Sequence, residues 1–206
     1  MHMKRKRLFI VLLLCIASGA LGARPLSTAS LNVVGGYAYD GSDDYFAGMG
    51  SFEHWHIGGG LSARFSLLTA DIMFLPSGYS DDENKLGIMM MPGLSIPLSV
   101  VSNLEIGFGP SIGLLIPKTS TTDSKFQYEM ADGSIRESGT SFSTLFMQST
   151  LYWKVAISAQ LGDFGFHVGY LSPTELSLET IKDIQPSSFF LSEGGMLMLA
   201  LSLDIY

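Results

Sequence analysis

Alternation of apolar residues with small or polar residues along most of the chain limits the folds that it can adopt. From Leu104 to Ile116 every even-numbered position is apolar or proline, whereas most odd-numbered positions are Gly or Ser. Most odd-numbered positions from Trp55 to Phe65 are apolar in the same way. A period of two residues is typical of β-strands whose two faces meet different surroundings. The chain is therefore expected to be all-β.

The lengths of the predicted strands and connections indicate how the sheet closes. The alternation predicts eight strands, at 29–39, 54–65, 68–76, 85–97, 103–116, 142–161, 164–173 and 189–206. Short connections alternate with long ones, and the long ones are 40–53, 77–84, 117–141 and 174–188. Short turns at one end and long loops at the other are typical of outer-membrane barrels. We therefore predict an eight-stranded antiparallel up-and-down transmembrane β-barrel with short periplasmic turns and long extracellular loops.

Composition indicates which face of the strands meets the surroundings. Only 15% of the residues are charged, against about 25% in a typical soluble domain. A water-soluble barrel of the lipocalin type would carry charges along its outer face, but the face opposite the apolar row is mostly Gly, Ser, Ala and Met. Such a face suits the crowded interior of a narrow barrel, so the apolar row is expected to face lipid. The net charge of -7 argues against a nucleic-acid partner.

The beginning of the chain has the order of a secretory signal peptide. Four basic residues lie within Met1–Arg7, an apolar run spans Leu8–Ile16, and small residues follow. We expect residues 1–23 to be cleaved after Sec-type export, which leaves 24–206 as the barrel in the outer membrane of a diderm bacterium. The single cysteine, Cys15, lies in the leader, so the mature barrel is expected to have no disulfide.

The pattern resembles the small eight-stranded outer-membrane barrels of the OmpW, OmpA and OmpX type. The resemblance covers residues 24–206 and is architectural, because it rests on no specific motif. Side chains nearly fill the interior of a barrel of this size, which excludes a wide aqueous pore. We expect a monomer surrounded by outer-membrane lipid, with no cofactor and no bound metal. Resemblance to OmpW implies an apolar lumen that passes small hydrophobic compounds.

Strand parity places two different groups of side chains in the lumen. Charges in a low-dielectric interior need partners, so the group near the short turns is predicted to form a salt-bridged polar plug: Arg64, Asp71, Glu105, Lys154, His167 and Asp204. The group toward the long loops is apolar: Met73, Leu75, Met89, Met91, Leu115, Phe146, Leu171, Met196 and Met198. Methionine can be an adaptable core filler. An apolar pocket above a polar floor is also the usual form of a small-molecule site. We therefore predict a binding site for small hydrophobic molecules.

Two prolines indicate a candidate exit from this pocket. Pro92 and Pro110 lie on neighbouring predicted strands, at similar height and on the lipid-facing row. Proline cannot donate a hydrogen bond to the ladder and is normally confined to edges or bulges. The pair is a candidate lateral gate into the bilayer, and the alternative is two local kinks that the barrel tolerates.

Two other functions belong to different classes. A surface adhesin would bind host proteins through the long loops, above all 117–141. A lipid-modifying enzyme needs a nucleophile with a nearby base and an orienting acid. His167 is the only interior histidine by parity, and no serine has a distinctive spacing to it, so no enzymatic activity is expected. His54 and His56 could suit a transition metal, but no third ligand is evident beyond the nearby acids Glu53 and Asp44.

Overall fold

Long antiparallel strands make up most of the part of the chain that the computed structural model describes, which is 27–38, 54–78, 83–117, 126–137, 139–183 and 195–205. Eight of them form the wall: β1 (Ser27–Ala38), β2 (Trp55–Phe65), β3 (Leu68–Gly78), β4 (Glu83–Pro97), β5 (Ser102–Pro117), β8 (Thr150–Leu161), β9 (Phe164–Pro173) and β10 (Met196–Asp204). Between β5 and β8 lie β6 (Gln127–Glu129), β7 (Ile135–Glu137) and helix α1 (Phe142–Gln148), and a 3-10 helix spans Ile181–Asp183. The predicted leader, 1–23, lies outside the described residues.

The long strands close into a barrel. Each pairs antiparallel with the next wall strand, β5 pairs with β8, and β1 pairs with β10 to complete the ring. The ladder of closure is unbroken from Ser30↔Asp204 to Ala38↔Met196. The predicted eight-stranded up-and-down barrel is therefore confirmed. No helix in the described ranges is long and apolar enough to cross a membrane.

Three short turns lie at one end of the barrel, which we call the turn end. Ser66 and Gly162 begin the turns from β2 to β3 and from β8 to β9, with φ of 57° and 64°. Two-residue hairpin turns favour such left-handed backbone because it matches the twist of the strands. The third turn, at 98–101, joins β4 to β5. The opposite end, which carries the longer connections, is called the loop end.

The outer face of the wall is apolar. Large apolar side chains that are more than half exposed occur on most of the strands, among them Val33 at 57%, Ile57 at 56% and Leu201 at 54%. Aromatic rings occur at two levels, since Phe65 lies beside a short turn and the rings of Trp153 and Tyr170, 5.7 Å apart, lie closer to the loop end. Such a band with aromatic girdles is the surface that a lipid bilayer covers.

The predicted strand 142–161 is wrong in its first part, which forms α1. The hydroxyl of Ser141 accepts a hydrogen bond from the Thr144 backbone N–H at 3.2 Å and caps the helix. Phe142, Leu145 and Phe146 recur at helical spacing, and Leu145 is the buried member. The strand begins only after Ser149, whose N–H donates to the Leu145 carbonyl at 3.0 Å.

The loop predicted at 117–141 contains structure that packs on the barrel. β6 pairs with the loop end of β5, β7 pairs with β6, and α1 follows. We call these three elements the cover. Apolar side chains join the cover to the wall: Ile88, Met90, Ile112, Tyr128, Met130 and Leu145. Ile112 lies on the outward row of β5 and is only 4% exposed, so the part of that row near the loop end faces protein instead of lipid.

Candidate functional site

Lys154 joins two carboxylates inside the turn-end half of the lumen. Its side chain is 6% exposed, and its ammonium contacts Asp71 and lies 3.3 Å from Glu105 Oε2. Asp71 belongs to β3, two strands away from β5 around the ring, so the group ties separate parts of the wall together. A buried ammonium needs such partners because it has lost its water.

His167 extends this group toward β10. Its Nδ1 lies 3.2 Å from Glu105 Oε1, and its Nε2 lies 2.9 Å from the hydroxyl oxygen of Ser202. Glu105 and His167 lie on β5 and β9, which are separated by β8, and the β8 residue opposite Glu105 is the small Ala156. The small side chain leaves room for the carboxylate to reach the imidazole. Ser202 is not among the sequence-predicted site residues.

Asp204 lies closer to the turn end. It accepts hydrogen bonds from the Ser30 hydroxyl at 2.6 Å and from the Gln160 side-chain amide at 2.9 Å. Arg64 lies in the same part of the lumen, and no ion pair joins it to another residue within the described ranges. We call these two hydrogen-bonded groups together the floor: Ser30, Asp71, Glu105, Lys154, Gln160, His167, Ser202 and Asp204. All six residues of the predicted plug thus lie in one region: four belong to the group around Lys154, Asp204 belongs to the second group, and Arg64 belongs to neither.

A small cavity of about 60 Å³ runs along the floor. Asn32 lines it and is 8% exposed. The Asn32 amide nitrogen donates to the Ser62 hydroxyl, while its oxygen has no hydrogen-bond partner in the described part of the chain. Met73 and Met198 line the end of the cavity that is closer to the loop end of the barrel. The space suits a few water molecules or one small polar group.

The loop-end half of the lumen is filled by what we call the methionine cluster: Val34, Met73, Leu75, Met89, Met91, Ala156, Leu171 and Met198. Met91 is 1% exposed and Leu171 is fully buried. Met196 and Tyr152 pack against it. The structure therefore brings together seven of the predicted pocket residues. Their role in binding a ligand stays a prediction.

Two predicted pocket residues lie elsewhere. Phe146 is not on a strand but on α1, where its ring lies 5.9 Å from that of Phe142. Leu115 is 1% exposed and sits closer to the loop end, opposite Lys85 on β4. Lys85 forms an ion pair with Glu129 of β6, which sequence reasoning did not predict because it took 117–141 as a loop.

The predicted proline pair coincides with a gap in the ladder between β4 and β5. Pairing runs to Met89↔Ser111 and resumes at Gly93↔Gly107. The three intervening residues of each strand include Pro92 and Pro110. Pro92 is exposed, whereas Pro110 is buried, so the prediction that both face lipid is wrong for Pro110.

Backbone directions explain the gap. The N–H of Leu98, just after β4, donates to the Ser102 carbonyl of β5 across the turn. The N–H of Ser95 instead donates to the Leu67 carbonyl, just before β3. Even-numbered residues of β4 therefore point their amides at β5. The Val101 carbonyl accepts a hydrogen bond from the Gln160 N–H of β8, so the odd-numbered residues of β5 bond to β8. The backbone amides of its even-numbered residues therefore point at β4. Both prolines occupy even positions and remove donors from this one ladder.

Comparisons with known proteins assign no family. The chain matches no protein-family model, and no curated protein matches it. A solved structure described as the de novo design of transmembrane beta-barrels is similar, with 12% sequence identity and a TM-score of 0.44. The similarity covers 88% of this chain and 98% of that one. The chain's own geometry defines its class as a membrane β-barrel, and membership of the OmpW, OmpA or OmpX type stays a prediction.

Proposed function

We propose that this protein is an outer-membrane barrel that takes small uncharged apolar molecules into the loop-end lumen and releases them sideways between β4 and β5. One observation carries the proposal: the methionine cluster lies directly against the gap in the ladder. Met89 borders the gap and Met91 lies within it, and both are inward-facing members of the cluster. An apolar guest held there would meet the part of this ladder that has lost its donors.

The floor makes the sideways route preferable to a route along the barrel axis. Passage toward the turn end would have to separate Lys154 from Asp71 and Glu105, which leaves buried charges without partners. Passage through the wall displaces unbranched side chains that pack in several arrangements. An apolar molecule also gains nothing from the polar cavity below the cluster, so the lipid is its favourable destination.

The wall at the gap is closed in this structure. A Cβ placed on Gly109 would lie 1.9 Å from the Met90 carbonyl oxygen, so the two backbones are in contact although they share no ladder there. Release therefore requires the strands to separate transiently. Fewer hydrogen bonds resist that separation here than in an intact ladder, because neither proline has an N–H.

Replacing Pro92 and Pro110 by valine tests the exit. Each restored hydrogen bond stabilises the ladder by about 1 kcal/mol. Two bonds make opening about 2 kcal/mol harder, which slows release about thirtyfold. The measurement is the rate at which phenyl-naphthylamine, an uncharged fluorescent probe, enters vesicles with an outer leaflet of lipopolysaccharide.

Pro76→Val is the matched control, because Pro76 is an exposed strand proline whose pairing with Leu86 is intact. Its probe entry is expected to equal that of the wild type. Unchanged entry in the double variant would exclude the exit between β4 and β5. Entry at the rate of empty vesicles in the wild type would exclude the transport function as a whole.

Adhesion through the loop 117–141 stays a prediction. The cover and the residue before it expose Phe126 at 54% and Phe142 at 64%, which offer apolar surface at the loop end. Met130, which follows β6, and Leu145 of α1 are buried against the wall. Part of this segment therefore serves the barrel, and only its outer side is available to a partner.

A further inference from the structure

Three side chains of the floor have the arrangement of a serine nucleophile with its base and acid. The Ser202 hydroxyl oxygen is 2.9 Å from His167 Nε2, and Glu105 Oε1 is 3.2 Å from His167 Nδ1. In enzymes of this kind the imidazole takes the serine proton through one nitrogen while a carboxylate orients it through the other. Each nitrogen of His167 has the partner that this division of roles requires.

We propose that Ser202 is an activated nucleophile that accepts a short acyl group from a small ester. Its oxygen bonds to the ester carbonyl carbon while its proton passes to His167 Nε2. The bond from that carbon to the alcohol oxygen then breaks, and the alcohol leaves with the proton. Water adds to the acyl-serine and gives a proton to His167, the bond between the carbon and the serine oxygen breaks, and this proton returns to Ser202 as the carboxylic acid is released.

The surroundings of Ser202 keep its hydroxyl accessible from the cavity. A Cβ on Gly165, its partner on β9, would lie 2.1 Å from the Ser202 oxygen and 3.2 Å from His167 Nε2. Any larger residue at 165 would therefore displace the nucleophile or its base. Ser202, His167 and Glu105 all line the cavity of about 60 Å³.

Asn32 is placed to stabilise the reacting carbonyl oxygen. It is the partner of Ser202 on β1, it lines the same cavity, and its side-chain oxygen has no partner in the described part of the chain. Rotation of the amide by a half turn places its N–H₂ group where this unpaired oxygen now lies, beside Ser202 on the neighbouring strand. A fixed donor that faces the oxygen as it gains charge is the usual means of lowering such a barrier.

The cavity limits the substrate class. A volume of about 60 Å³ holds an acetyl-sized group and excludes long acyl chains. Thr28 and Gln160 line the cavity close to the turn end, so a small ester reaches Ser202 from that side. The proposed chemistry is independent of the apolar route, which lies on the other side of the floor.

The test uses p-nitrophenyl acetate with the chain refolded in detergent. We expect an initial release of one nitrophenolate per folded chain, and peptide mass spectrometry should locate one acetyl group on Ser202. Ser202→Ala should abolish both signals. Glu105→Gln should slow the release about a hundredfold, because the imidazole loses its charged orienting partner.

Ser111→Ala is the matched control, since Ser111 is a similarly buried inward serine on β5 that lies opposite Met89, away from the cavity and from His167. It should release nitrophenolate as the wild type does. No release by folded wild-type protein would overturn the proposal. An acetyl group found only on another residue would also overturn it, and that result does not depend on whether any variant folds.

Discussion

The two halves of the lumen are filled by different kinds of interaction. The floor is joined by ion pairs and hydrogen bonds with defined directions, as between Lys154 and Glu105 at 3.3 Å. The methionine cluster is joined by apolar contact, with Met89 and Met91 3% and 1% exposed. Buried charges tolerate few arrangements, because each must keep a partner. Unbranched thioether side chains tolerate several.

This difference indicates which half can move. The floor links β3, β5, β8 and β9, so a displacement of one strand breaks contacts on another. The cluster has no such links and borders the only interruption among the ladders between described wall strands, that between β4 and β5. A rigid closed half and an adaptable half are what sideways transport requires. Substitutions of similar volume in the two halves should therefore lower the free energy of unfolding by very different amounts.

Lys154→Met should have the largest effect on stability. The variant keeps the length of the side chain and leaves Asp71 and Glu105 buried together without their ammonium. Removal of one partner from a buried pair costs about 3–5 kcal/mol. Urea unfolding in lipid vesicles, followed by tryptophan fluorescence, measures the loss.

Further removal of the carboxylate charges is the control for that loss. Adding Asp71→Asn and Glu105→Gln to Lys154→Met should restore much of the stability, because no unpaired charge remains. A loss below about 1 kcal/mol for Lys154→Met alone, the value typical of exposed pairs, would contradict a buried and tightly joined floor.

Met91→Leu should cost much less, although Met91 is buried more deeply than Lys154. Volume-conserving apolar replacements usually cost under about 1.5 kcal/mol. Met91→Ala, which leaves a void, should cost about 2–5 kcal/mol and shows that the site is packed. The same urea experiment measures both. A loss for Met91→Leu as large as that for Lys154→Met would show that the cluster is as strictly specified as the floor.

The eight strands could be predicted because each long strand has one face in lipid and one in the lumen. Those two surroundings impose the period of two, and the predicted 103–116 matches Ser102–Pro117 to within a residue at each end. The same test fails at 142–148, where the apolar residues follow a helical spacing and a capping serine precedes them. Alternation alone does not distinguish a short helix from the first residues of the long strand that follows it.

The site depends on register, which alternation does not determine. Parity places Ser202 and His167 on inward rows, but their contact arises because Ser202 pairs with Gly165, two residues before His167. A shift of β10 by two residues toward the turn end would keep every face and separate the two side chains.

The ion pair between Lys85 and Glu129 should have the smallest effect and sharpens the comparison, because it contains charges without the burial of the floor. Its side chains are 30% and 24% exposed at the loop end. Lys85→Met should lower the free energy of unfolding by under about 1 kcal/mol. In 1 M NaCl, where the screening length is about 3 Å, this loss should shrink, whereas that of Lys154→Met should persist. A loss for Lys85→Met that is large and independent of salt would show that burial does not separate the two sites, and the contrast between the halves would then rest on the methionines alone.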